Sequence, residues 1–295
     1  MIIRNGLGLP RLAREIAVPL VVVLAYDIAV TVLYMTVGWR WLAVDELPLP
    51  LTGTAIALIL TLRNNVAYGR WWEARTLWGA INNNSRSFAR GVIALIDDPR
   101  LQAELVRHQI AYVLALRCHL LREPAWDALA AYLPPDAISR LRAAANVPAS
   151  IHQAVARRLA ALRRNQGIDT VGAASIERTL SDLANAQGGL ERIKNTPMQP
   201  LLDLFPRMLS RAYCLLLPLG LVPELGWATP LGSTLIGFTF LALDGIGADL
   251  EHPFEGTIHD VPMQAITRGI EIDLLQALGE STVPPAIQPK SGVLW

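Results

Sequence analysis

The chain has 295 residues, 52% of them apolar and only 17% charged, with a formal net charge of +1. Soluble domains carry about 25% charged residues, so the deficit points to membrane segments, and nothing in a net charge near zero points to nucleic acid as a partner. The two cysteines, Cys118 and Cys214, stand far apart in unlike surroundings and read as reduced structural thiols.

Arg4, Arg11 and Arg14 precede the first apolar run. That run is too long for the core of a signal peptide, and no small-residue cleavage site follows it. It predicts a retained transmembrane helix from Ile16 to Trp39, with Asp27 as its one charge. About 20 apolar residues cross a bilayer core of about 30 Å. Trp39 and Trp41 flank Arg40 as interfacial anchors. The alternating Pro48 and Pro50, after Asp45 and Glu46, mark a short turn.

The second run is apolar only from Leu51 to Leu62 before Arg63 arrives. It is short for a lipid-facing span, yet no proline interrupts Asn64 to Gly79, so the helix is expected to continue. Thr54, Leu58 and Leu62 recur every fourth residue and share one helix face. Gly53, Ala55 and Ala57 permit close helix packing. Two readings fit this pattern. One is a helix buried in a bundle; the other is a pore wall, where rings of such side chains gate by dewetting. Arg63, Asn64, Asn65, Arg70, Trp71, Trp72 and Glu73 follow and suit a structural collar, because Arg stacks on Trp and pairs with Glu.

Residues 80–205 read as soluble and helical, with a basic excess and apolar positions such as Leu101, Leu105, Ile110, Val113 and Leu114 at helical spacing. Leu133 to Pro148 reads as a surface connection. Apolar runs return at Ala212–Val222 and Leu225–Leu243, separated by Pro223 and Glu224, which predicts a helical hairpin of two crossings. Asp244 to Glu280 is amphipathic, and 281–295 reads as a loose tail. The expected organisation is an N-terminal segment with two crossings at 1–79, a cytoplasmic helical region at 80–205, a hairpin at 206–244, and a cytoplasmic helix and tail at 245–295. Arg and Lys concentrate at the amino end and in the middle region, so both termini and the middle region are placed in the cytoplasm, with four crossings.

No phosphate-binding GxxxxGK[ST] loop, GxSxG elbow or HExxH pair occurs, which disfavours ATP-driven transport and these hydrolase classes. No enzyme activity and no cofactor are expected. Glu251, His252, Glu255, His259 and Asp260 match no zinc-ligand spacing, so no metal is expected either. Asp27 and Asp244 are acids in or beside membrane segments; the favoured role is bracing, and the alternative is a proton-coupled secondary transporter working through Asp27. Such transporters usually contain internal repeats, and none is visible.

The run Arg63 to Gly79 (RNNVAYGRWWEARTLWG) resembles the bestrophins, especially their bacterial members. Further blocks in the same order support the resemblance: Gly189 to Pro197, Leu216 to Val222 with Leu225-Gly226-Trp227, Leu243 to Gly247, Leu250 to Phe254, and Ile270 to Leu275. The resemblance implies an all-α, homopentameric channel in the bacterial inner membrane. It implies four transmembrane helices per subunit, a large helical cytoplasmic region and one pore on the five-fold axis. It puts the apolar neck on Thr54, Leu58 and Leu62, with Thr54 departing from the bulkier residue usual in the family. A second, cytoplasmic constriction has Ile176 and Leu180 as candidates. Its expected partners are small monovalent ions, either chloride and other anions or sodium-like cations, together with the lipid bilayer and other copies of the chain. Animal relatives bind calcium just after the last crossing. Here Glu255 and Asp260 alone fall short of the six or more oxygens such a site takes, so no calcium activation is expected.

Overall fold

The computed structural model describes residues 9–44, 48–290 and 292–295, with side chains from Ala17 onward. Arg4, Arg11, Arg14 and the turn residues Asp45 and Glu46 lie outside that description. The described chain is all-α: α1 (Leu9–Val32), α2 (Leu49–Leu95), α3 (Pro99–Leu121), α4 (Trp126–Ala130), α5 (Pro135–Leu141), α6 (Val147–Arg164), α7 (Thr170–Asn195), α8 (Pro200–Leu225), α9 (Thr229–Glu251) and α10 (Met263–Ala277). A single isolated bridge, Lys290 to Val293, is the nearest thing to a sheet among the described residues. Among the described residues the chain divides into two compact units, one of Trp72–Thr196 and Pro253–Trp295, the other of 9–71 and Pro197–His252.

Among the described residues, two stretches are long and apolar enough to cross a membrane, Ala17–Val37 and Pro200–Glu251. Both lie in the second unit, and the longer stretch contains α8 and α9. The first departs from the expected straight helix to Trp39. It ends in a π turn at Leu33–Val37, closed by Gly38 at φ 79°, a left-handed conformation that glycine adopts without a Cβ clash. Beyond it Arg40 lies 4.6 Å from the centroid of the Tyr34 ring, and Trp39 and Trp41 pack at 5.8 Å.

The hairpin turn was expected at Pro223 and Glu224 but lies after them. Helix α8 carries Pro206, Pro218 and Pro223 within it and stops at Gly226, whose N–H donates to the Val222 carbonyl at φ 52°. Likewise α9 does not end at Asp244; it continues to Glu251, because its polar last turns have charged partners within the unit. The core of this unit is Leu49, Ile56 and Leu60 of α2 packed with Tyr213, Cys214, Leu217 and Phe240 of α8 and α9. Tyr213 and Phe240 meet edge to face, and the Tyr213 hydroxyl donates to the Leu49 carbonyl at 2.9 Å. A Cβ added at Gly53 would come within 2.5 Å of that hydroxyl, so glycine is what lets α2 and α8 approach.

In the first unit, helix starts follow local capping chemistry. The side chains of Asp98, Asn146 and Asp169 accept from the N–H groups of Arg100, Ala149 and Gly172, and Pro99 and Pro148 occupy the first turns. Trp78, Ile81, Phe88 and Val92 of α2, Leu105, Ile110 and Leu116 of α3, Ile151 and Leu159 of α6, and Ile270 and Leu274 of α10 are all buried, and α3 packs on α6 and α10. Two expectations need correction here. The stretch Leu133 to Pro148 contains α5 and buries Leu133 and Leu141, so it is more than a surface connection. The C-terminal tail is tied down, since Ala265 N–H donates to the Trp295 carbonyl at 2.6 Å and Val293 is buried.

Candidate functional site

The part of α2 that belongs to the second unit has two unlike faces. Gly53, Ile56, Leu60, Arg63 and Ala67 recur at steps of three and four and are all buried. The opposite face carries Leu51, Thr54, Leu58, Leu62 and Val66, all exposed. Leu58 is 62% exposed and Leu62 66%, with no covering element within the unit. The Thr54 hydroxyl donates to the Pro50 carbonyl at 2.8 Å, so its donor is satisfied within the helix.

One step below Leu62 the buried face turns from apolar to charged. The Arg63 side chain is 1% exposed. Its Nη2 donates to Asp203 Oδ1 at 2.6 Å, and its Nη1 to Asp244 Oδ1 at 2.7 Å, with Glu251 Oε2 at 3.8 Å. Arg207 joins the same carboxylates, at 2.6 Å from Asp203, 3.7 Å from Asp244 and 3.7 Å from Glu251. A buried guanidinium is tolerable only when its charge is matched, and here two arginines meet three carboxylates. The elements supply these groups by simple spacing: Asp203 and Arg207 stand one turn apart on α8, and Asp244 and Glu251 two turns apart on α9.

Neighbouring groups lock the arrangement. Asn64 Nδ2 donates to the Leu243 carbonyl at 2.8 Å. Arg70 Nε donates to the Glu251 carbonyl at 3.3 Å, a cation at the carboxyl end of α9 where the helix dipole favours it. A Cβ at Gly247 would fall 2.1 Å from Asn64 Oδ1 and 3.0 Å from Arg63 Nη1, so only glycine leaves room for this contact. Tyr68 stacks on Trp71 at 6.5 Å. Asn65 and Trp72 are exposed. In the first unit, Glu73 pairs with Arg192.

The remaining candidates are scattered. Asp27 is fully buried and accepts from the Thr234 hydroxyl at 2.9 Å, which ties α1 to α9. Ile176 and Leu180 sit in the core of the first unit, 2% and 5% exposed. In the loop after α9, Asp260 accepts from the Gly256 N–H at 2.7 Å and from the Thr257 hydroxyl, and Glu255 pairs with Lys194 at 3.0 Å. No group of three or more metal-ligating side chains forms among the described residues. Elsewhere in the first unit, His152 Nε2 lies 3.2 Å from Gln109 Oε1 and its ring stacks on Tyr112 at 3.5 Å. Burial pushes this imidazole down to about 3, so it is neutral at pH 7.

The sequence reading missed Asp203 and Arg207, and it gave Glu251 and Gly247 no part in this cluster. The i,i+4 pair on α8 and the seven-residue spacing on α9 were the available signals.

Residues 10–276 match the family described as Bacterial/Fungal Bestrophin protein. The chain belongs to this bestrophin family. Among curated bestrophin-like relatives, the voltage-dependent anion channel-forming protein mll4386 of Mesorhizobium japonicum is 33% identical, over 98% of this chain and 95% of that one. The voltage-dependent anion channel-forming protein YneE of Escherichia coli is 37% identical, over 82% and 80%. Among solved structures, a bacterial bestrophin homologue from Klebsiella pneumoniae superposes with a TM-score of 0.86 at 26% identity, over 90% of this chain and all of that one.

Proposed function

We propose that this bestrophin-family chain forms a homopentameric channel that passes small monovalent anions through a neck lined by Thr54, Leu58 and Leu62. The observation that carries the reading is the uncovered apolar stripe of α2, directly above a fully buried and charge-matched Arg63. An unsheathed row of leucines beside a tightly braced face is what a helix presents when further copies complete the wall. The neck, being apolar, carries no sign preference. The anion assignment leans on the relatives in Mesorhizobium japonicum and Escherichia coli, which are named as anion channel-forming proteins. The setting is the inner membrane, with α1, the first half of α2, α8 and α9 as four crossings and both termini in the cytoplasm.

Calcium activation is absent from this reading. The two carboxylates after α9 are already used, Asp260 on Gly256 and Thr257, and Glu255 on Lys194. Chelation of calcium is expected to leave the currents unchanged. A proton-coupled transporter through Asp27 is the second reading, favoured only by the complete burial of that carboxylate. Flux from liposomes separates the two. Passive, non-saturating chloride flux without a proton gradient supports the channel, and strict dependence on a proton gradient overturns it.

A further inference from the structure

A groove of about 430 Å³ runs among α1, α8 and α9 in the second unit. Its walls are apolar, with Val18 and Val22 from α1, Leu215 from α8 and Leu241 from α9. Val18, Val22 and Leu215 are 70%, 63% and 53% exposed, so nothing among the described residues covers them. Two charged groups, Arg211 and Asp244, also line it. Asp244 is taken by Arg63 at 2.7 Å, with Arg207 at 3.7 Å. Arg211 is exposed and has no hydrogen-bond or ion-pair partner among the described residues.

Depth makes that lone cation informative. Arg211 lies a little under half-way along α8 toward its end at Leu225, about 21 Å of helix rise from the hairpin turn. Asp244 lies about 22 Å from the turn on α9, at the matching level. A bilayer core is about 30 Å thick, so the guanidinium sits inside or at the edge of the hydrocarbon, where an unmatched charge is costly. A planar guanidinium binds a phosphate in bidentate fashion, and its apolar stem can reach along the groove toward the headgroup level.

We infer that this groove holds one anionic phospholipid per chain, with the phosphate on Arg211 and an acyl chain laid against Val18, Val22 and Leu215. The inference rests on α1, α8 and α9 being membrane crossings. A second copy of the chain is the less suited occupant, because it would need an acid placed opposite Arg211 in an otherwise apolar contact.

The test is native mass spectrometry of the purified full chain in a neutral detergent, titrated separately with phosphatidylglycerol and phosphatidylcholine of equal chain length. Wild type is expected to retain one phosphatidylglycerol per chain, with about fivefold preference over phosphatidylcholine, the ratio that one near-surface cation confers. Arg211→Gln should abolish the preference and Arg211→Lys should keep most of it. Gly245 also lines the groove, and a Cβ there meets open space, so Gly245→Leu fills the cavity and should reduce retention of both lipids. An equal phosphatidylglycerol preference in wild type and Arg211→Gln overturns the inference, as would be the case for an unspecific lipid shell. Loss of oligomer mass in Gly245→Leu with lipid retention unchanged overturns it in favour of a subunit contact. Resistance of liposome-reconstituted protein to carbonate extraction reports separately on the membrane crossings, so failure of that reading is distinguishable from failure of the lipid site.

Discussion

Replacing Arg63 by methionine removes the more deeply buried of the two guanidiniums that reach all three acids of the α2, α8 and α9 cluster. Asp203, Asp244 and Glu251 would then share Arg207 alone. The Arg63 side chain is 1% exposed and makes two contacts shorter than 3 Å, at 2.6 and 2.7 Å. Breaking a buried pair of this kind costs about 3–5 kcal/mol, mostly because the orphaned carboxylates stay buried. In a chain of this size that corresponds to a fall in Tm on the order of 10 °C. Adding Asp203→Asn to Arg63→Met removes one stranded charge and is expected to recover part of the loss, so the two changes are non-additive by about 0.5–3 kcal/mol. Thermal unfolding in detergent, followed by tryptophan fluorescence, measures both variants. An Arg63→Met midpoint equal to wild type would refute the cluster as a source of stability. So would simple additivity of the pair.

Two other perturbations follow from the packing and from a buried imidazole. Gly247→Ala places a methyl 2.1 Å from Asn64 Oδ1, and Gly53→Ala places one 2.5 Å from the Tyr213 hydroxyl. Each should destabilise by about 1–3 kcal/mol, whereas Gly69→Ala, where nothing lies within 4 Å, should be neutral or slightly stabilising in the same melts. The His152 pKa is lower in the folded state, about 3, than its unfolded value of about 6.5. The unfolded chain therefore takes up the proton first, and stability present above about pH 6.5 is lost as pH falls toward 3. At about pH 5 the loss is on the order of 2 kcal/mol. Denaturant unfolding of wild type should show this slope between pH 6.5 and 5; His152→Gln should flatten it, and an unchanged slope in that variant would assign it to other groups.

Much of the fold was legible because apolar period and chain length dominate it. The α2 helix could be read through Arg63 because no proline interrupts it, and the four-residue recurrence put Thr54, Leu58 and Leu62 on one face, though not whether that face is covered. Helix ends were legible less often. Pro223 looked like a stop, but Gly226 is where the backbone turns left-handed. The charge cluster was hidden for a different reason. Arg63 stands 140 residues from Asp203 and 181 from Asp244, so no local pattern joins them. The apolar run stops near Asp244, and only the arginines of α2 and α8 explain why α9 persists to Glu251. Gly247 lies in one of the blocks that carry the resemblance, but no local pattern gives its reason, which is the close approach of the Asn64 side chain.

Single-channel recording in planar bilayers with asymmetric sodium chloride, on wild type and Leu58→Ala, tests the neck most directly. The expected result is stepwise unitary currents reversing near the chloride equilibrium potential, with a larger unitary conductance in Leu58→Ala as the constriction widens and wets. Absence of unitary steps, or a conductance identical in the two proteins, would contradict the placement of the Leu58 face on the ion path.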